Sequence, residues 1–130
     1  MPAALMNHVV NPRKVITDKI GDLSNIDLFY NKILVGIYIR PEKTAGGIIY
    51  TDETREEDRF QGKAGLVLKI GPTAFKDEGS VQFYGQKVQV GDWIVFRPSN
   101  GLKMKINSID CVYLQDVHVE MRVDRPDWVY

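Results

Sequence analysis

Apolar residues in this chain gather into short runs divided by glycine, proline and charge, and the spacing inside the runs changes along its length. Near the start, Val15, Ile16, Ile20 and Leu23 recur at helical spacing. Asn11 precedes them as a side chain able to cap a first turn, with Pro12 preset for the first helical position. Gly21 can end the same turn of helix. The pattern predicts a short amphipathic helix in a leading arm, residues 1–25, packed onto its own domain or onto a neighbour. Because the apolar stripe is narrow, the arm is expected to be dispensable for folding and to act in assembly or partner choice.

From Phe29 the pattern turns to β. Residues 32–39 are rich in β-branched and aromatic side chains, apolar on both faces, and closed by Arg40-Pro41. Further strands are expected at Leu66–Ile70, before Gly71-Pro72, and at Trp93–Phe96, entered through Val88-Gln89-Val90-Gly91-Asp92. A Pro98-Ser99-Asn100-Gly101 turn leads to Leu102–Ile106, and Cys111–Leu114 and Val117–Val123 complete the series. Between Phe75 and Phe83 the turn-rich Glu78-Gly79-Ser80 predicts a small projecting hairpin. Short apolar strands at close spacing predict an all-β barrel over residues 26–123. Residues 124–130 have no strand pattern and read as an aromatic C-terminal tail.

One stretch does not fit a barrel wall. Gly46-Gly47 is followed at once by Ile48, Ile49 and Tyr50, and then by a charge-dense run from Asp52 to Arg59. An apolar triplet between a flexible glycine pair and a solvated run is poorly placed for a core. It reads as an anchor held out for a partner. A short edge strand after a Gly-Gly turn is the plainer alternative. The charged run itself is expected to be a solvated loop.

Composition narrows the function classes. The 130 residues suit one domain. Lys plus Arg and Asp plus Glu both number 17, so the chain lacks the basic footprint of a nucleic-acid binder. The single cysteine, Cys111, allows no internal disulfide and fits a reducing compartment. No apolar run reaches the length of a membrane span, and the first residues lack the pattern of a signal peptide. A cytoplasmic protein is expected, with neither nucleic acid nor membrane as partner.

No catalytic constellation assembles from the residues available. His8 and His118 are the only histidines, and His118 reads as a surface or interface residue. Cys111 lacks a CxxC partner and reads as core. Four zinc ligands cannot be found. Gly62-Lys63 lacks the upstream glycine of a phosphate loop, with Glu57 in its place, and the acidic run lacks calcium-loop spacing. No catalytic residue, metal or cofactor is expected.

Taken in order, the strand at 33–39, Lys43-Thr44-Ala45-Gly46-Gly47-Ile48-Ile49, Gly65–Gly71, the Val90-Gly91-Asp92 strand entry and the closing strands resemble the GroES-type co-chaperonin family. The likeness spans about Ile26 to Val123. It implies an irregular GroES-like β-barrel that assembles into a seven-membered ring and caps a GroEL-type chaperonin, assisting the folding of client proteins. It also implies that Gly46, Gly47, Ile48, Ile49 and Tyr50 form the partner-binding loop. The hairpin near Phe75–Phe83 would match the family's dome-roof loop, and strands near Ile26–Leu28 and Val117–Val123 would join adjacent subunits. Tyr50, the charged run, the arm and the tail depart from the usual pattern. Phage-encoded members diverge in such ways. A virion or capsid-associated assembly protein built on the same barrel is the alternative reading, with capsid or virion proteins as partners.

Overall fold

The computed structural model describes residues 11–41, 49 and 51–130. Its elements are α1 (Pro12–Ile20), β1 (Lys32–Ile37), α2 (Asp52–Gln61), β2 (Ala64–Ile70), β3 (Trp93–Phe96), β4 (Leu102–Ile106), β5 (Ile109–Gln115) and β6 (Val119–Val123). Short 3-10 turns lie at Pro98–Asn100, Asp116–His118 and Pro126–Val129. Among the described residues the strands form one antiparallel sheet in the order β4-β5-β1-β2-β3-β6. The all-β class expected from the strand pattern is what the chain adopts.

β1 lies near the middle, and its registers explain why it is apolar throughout. Val35 sits opposite Val67 of β2 and Val112 of β5. Successive side chains of a strand point to opposite faces, and here both faces are covered. Leu34, Tyr38, Leu66, Leu68, Trp93 and Cys111 fill one layer. Ile33, Val35, Ile37, Val67, Phe96 and Val112 fill the other. Two register shifts, at Leu34/Val35 and at Val95/Phe96, bend the sheet.

α1 belongs to the first of these layers. Asn11 accepts from the Arg13 amide at 2.9 Å, and Gly21 closes the helix with a φ of 73°. Ile16 and Ile20 are buried against the sheet. Gly36 makes this possible: a Cβ there would stand 2.8 Å from Ile16 Cγ2. The Asn107 amide donates to Ile20 O at 2.7 Å, and the Arg13 guanidinium donates to Gly91 O. Of the two placements expected for this helix, packing onto its own domain is the one observed.

Four local expectations need correction. The run from Asp52 to Arg59 is helical rather than looped, because Thr51 caps it: its Oγ1 accepts from the Thr54 amide at 3.1 Å. Asp52 and Glu53 in the first turn and Arg59 in the last also suit the helix dipole. The hairpin between Phe75 and Phe83 shrinks to a single bridge between Glu78 and Val81. The closing strand starts at Val119, since buried Asp116 pins the preceding turn by accepting from Asn31 Nδ2 at 2.9 Å and from the Phe75 amide at 2.8 Å. Ile26–Leu28 is not a strand in the single chain, where the Lys69 ammonium donates to the carbonyls of Leu23 and Ile26.

Candidate functional site

Of the five residues expected to bind a partner, Ile49 is described, and its side chain is 74% exposed. Gly46, Gly47, Ile48 and Tyr50 lie outside the described residues. What the structure does define is the ground on either side of them. The chain leaves the sheet after β1 through Tyr38 to Pro41 and returns at Thr51 into α2.

These two sides are joined by a buried ion pair. The Arg40 guanidinium meets the Asp58 carboxylate side-on, with Nη2 to Oδ1 at 2.7 Å and Nε to Oδ2 at 2.9 Å. The Arg40 backbone amide donates to the same Oδ2 at 2.8 Å. Arg55, one helical turn earlier, donates from Nε to Arg40 O at 3.0 Å. The side chains of Arg40 and Asp58 are 19% and 3% exposed. Bidentate, charge-assisted bonds of this kind are both strong and directional. Gly62 lets α2 end tightly against β1, since a Cβ there would lie 2.7 Å from Ile37 Cγ2 and 2.3 Å from Asp58 O.

Residues 124–130 complete the arrangement. The Tyr130 ring lies over the Arg40 guanidinium at 4.6 Å and close to the Lys63 ammonium at 5.1 Å. Its hydroxyl accepts from the Lys63 amide at 3.3 Å. Arg125 grips the fully buried Asp127 through two bonds of 3.0 and 2.6 Å, which fixes the turn that delivers Tyr130. Tyr38 packs under Tyr130 with ring centroids 5.9 Å apart. Burial first, and then the Asp127 carboxylate, hold the Tyr38 hydroxyl well above the usual tyrosine range. Burial also raises Tyr130. The residues called a tail from the sequence are therefore packed against the body of the protein.

A second feature is the outer edge of β6. A groove of about 800 Å³ runs beside it, between Phe83 and Val88 on one wall and Val117, Val119 and Met121 on the other. Val117 and Met121 are about half exposed, and Phe29 and Tyr30 are more so.

Neither feature carries catalytic chemistry. Cys111 is fully buried, and burial pushes its thiol up to about 12, which leaves it protonated and unreactive at neutral pH. His118 sits on the 3-10 turn before β6, with a buried Nδ1 that has no hydrogen-bond partner among the described residues. No group of three or more His, Cys, Asp or Glu gathers among the described residues, and no helix there is long and apolar enough to cross a membrane.

Comparison with known proteins accounts for most of the chain. Residues 25–120 match the family described as chaperonin 10 Kd subunit. Co-chaperonin GroES 5 of Rhizobium meliloti (strain 1021) is 34% identical over 90 residues, which is 69% of this chain and 81% of the relative. Co-chaperonin GroES 2 of Mesorhizobium japonicum is 33% identical over the same shares. Co-chaperonin GroES of Allorhizobium ampelinum is 25% identical over 96 residues, 74% of this chain and 92% of the relative. With its strand order, its two-layered core and three-quarters of its length in that match, the chain belongs to the GroES-type co-chaperonin family.

Proposed function

We propose that this protein forms a closed, seven-membered ring that caps a GroEL-type chaperonin, and that Gly46, Gly47, Ile48, Ile49 and Tyr50 are its contact with that partner. The observation that carries the reading is Ile49: a large aliphatic side chain, 74% exposed, between two ends that are firmly tied to the barrel. An aliphatic residue so placed has no role in its own core and gains free energy by burial in another protein. The protein itself does no covalent chemistry in this scheme. It closes a chamber in which client proteins fold, and nucleotide hydrolysis belongs to the chaperonin.

The sheet supports this reading of a closed ring. β4 and β6 are its outer strands among the described residues, and an open edge such as β6 invites pairing with another chain. Residues 26–28, which pair with no strand among the described residues, supply that pairing from the neighbouring subunit. The half-exposed Val117 and Met121 then become interface residues.

The test is native mass measurement of the protein alone and with a GroEL-type chaperonin plus nucleotide. A closed ring and a nucleotide-dependent ring–chaperonin complex are expected. Ile49→Ala removes about 1–2 kcal/mol of burial from each loop, close to tenfold in affinity per loop. Because loops on one ring bind as linked contacts, the loss multiplies across them. Ile49→Ala should therefore abolish capping while ring mass and thermal stability stay as in the wild type. A variant that melts the barrel but still caps would place Ile49 in the core and remove the basis of the proposal.

A further inference from the structure

We infer that Arg40, Asp58 and Tyr130 form a clamp that positions the partner-binding loop, by holding its two ends together and keeping α2 folded against β1. The inference rests on the capping function proposed above, but its structural half stands apart from it. Arg40 precedes the loop and Asp58 lies in the helix that follows it, so one ion pair ties both ends to the same point. The tie is triple, since the guanidinium, the backbone amide and the carbonyl of Arg40 are all bonded to α2.

α2 depends on this tie more than helices usually depend on any single contact. Its sequence, DETREEDRFQ, is charged along nearly its whole length, and a ten-residue helix is marginal on its own. Its other ion pair to the sheet, Arg59 to Asp110 at 3.9 Å, is long and half exposed. Such a pair contributes little. Among the described contacts of α2 the Arg40–Asp58 pair is the shortest and most buried tie to the rest of the chain, and the Tyr130 ring shields it. The ring covers the guanidinium at 4.6 Å, and its hydroxyl engages the Lys63 amide just past the helix.

The consequence for binding comes from chain length. With the clamp closed, the chain between its tied ends runs from residue 42 to residue 50, nine residues. With α2 undocked it runs from Pro41 to about Lys63, roughly 23. The closure entropy of the longer segment lowers the affinity of each loop about fourfold. Over two or three engaged loops the effect compounds to between about 16-fold and 64-fold.

The experiment compares the wild type with Tyr130→Ala, Tyr130→Phe and Asp58→Asn in the intact ring. It reads amide hydrogen exchange over α2 and the affinity for a GroEL-type chaperonin with nucleotide. Tyr130→Ala and Asp58→Asn should speed exchange across Thr51–Gln61 while β1, β2 and β5 stay protected and ring mass is unchanged. Both should weaken capping by the factors above, and Tyr130→Phe, which keeps the aromatic cover, should remain near the wild type on both readouts. Unchanged exchange over α2 in Tyr130→Ala would overturn the clamp. Faster exchange with unchanged capping would overturn its coupling to the loop. If Asp58→Asn does not fold, the Tyr130 pair alone decides between these outcomes. Capping that survives Ile49→Ala would instead sink the functional proposal, with the exchange data still judging the clamp.

Discussion

The seat of Ile16 over Gly36 can be tested by exchanging the sizes of the two residues. Ile16→Ala removes most of a buried side chain from the layer shared by α1 and the sheet. Such a change costs about 2–5 kcal/mol, made up of lost burial and the cavity left behind. Gly36→Ala adds a methyl whose carbon would stand 2.8 Å from Ile16 Cγ2 and 3.2 Å from Leu68 Cδ1. Forcing that overlap costs about 1–3 kcal/mol, offset in part by the better strand propensity of alanine. In the double variant the new methyl occupies space vacated by the isoleucine, so its closest clash, with Ile16, disappears and the cavity shrinks. The double should thus be less destabilised than the sum of the singles by about 1–2 kcal/mol. Urea unfolding at one fixed protomer concentration, followed by the fluorescence of buried Trp93, measures all four proteins of the cycle. Residues that share no contact add to within about 0.5 kcal/mol. Additivity at that level would show that α1 does not rest on Gly36 and would refute the packing described here.

Three further outcomes are expected. Thr51→Ala should lower the helical protection of α2 by about 1 kcal/mol, because it removes the acceptor for the Thr54 amide; hydrogen exchange over Asp52–Gln61 checks this. Val117→Asp with Met121→Asp should yield folded monomers in native mass spectra at micromolar concentration, since both side chains are about half exposed and line the groove beside β6. Cys111, with its thiol pushed up to about 12 from a usual value of 9, should resist alkylation in the native protein at pH 8. Its contribution to stability should be intact below pH 9 and lost as pH rises from 9 towards 12, because the unfolded chain releases the thiol proton first. A Cys111→Ala variant should show a shallower alkaline loss of stability in urea titrations across that window.

The strands were legible because burial on both faces writes them as uninterrupted apolar runs, as at Ile33-Leu34-Val35 and Leu66-Val67-Leu68. The reading of Gly46 to Tyr50 as a partner contact rested on the opposite pattern, an apolar triplet with polar surroundings. α2 was hidden by its charge. Asp58 looks like any other acid in a solvated run, and its partner Arg40 lies 18 positions away, so nothing local distinguishes it. The signals that would have found the helix were Thr51 as its cap, the paired acids after it and Arg59 at its end. The start of the last strand shifted for a tertiary reason as well. Asp116 breaks the last strand only because Asn31 and Phe75 stand ready to bond it.

The three segments that the sequence set apart from the barrel meet along one row on the same layer of the sheet. Arg13 of α1 lies 5.9 Å from the Trp93 ring, and Trp93 meets Tyr38 edge to face at 5.9 Å. Tyr38 touches Tyr130, Tyr130 covers Arg40, and Arg40 holds Asp58 of α2. Edge-to-face aromatic pairs add about 0.5–1.5 kcal/mol each to the burial of their surfaces, and cation–π contacts at partly buried sites add comparable amounts. The match to the family covers residues 25–120, so Arg13 and Tyr130 lie outside it while Trp93, Tyr38, Arg40 and Asp58 lie within. A chain cut back to the matched residues would uncover those two rings and leave the Arg40–Asp58 pair open to water. Residues 11–24 and 124–130 are thus a second wall of this barrel, and that wall ends at the base of the segment proposed to bind the chaperonin.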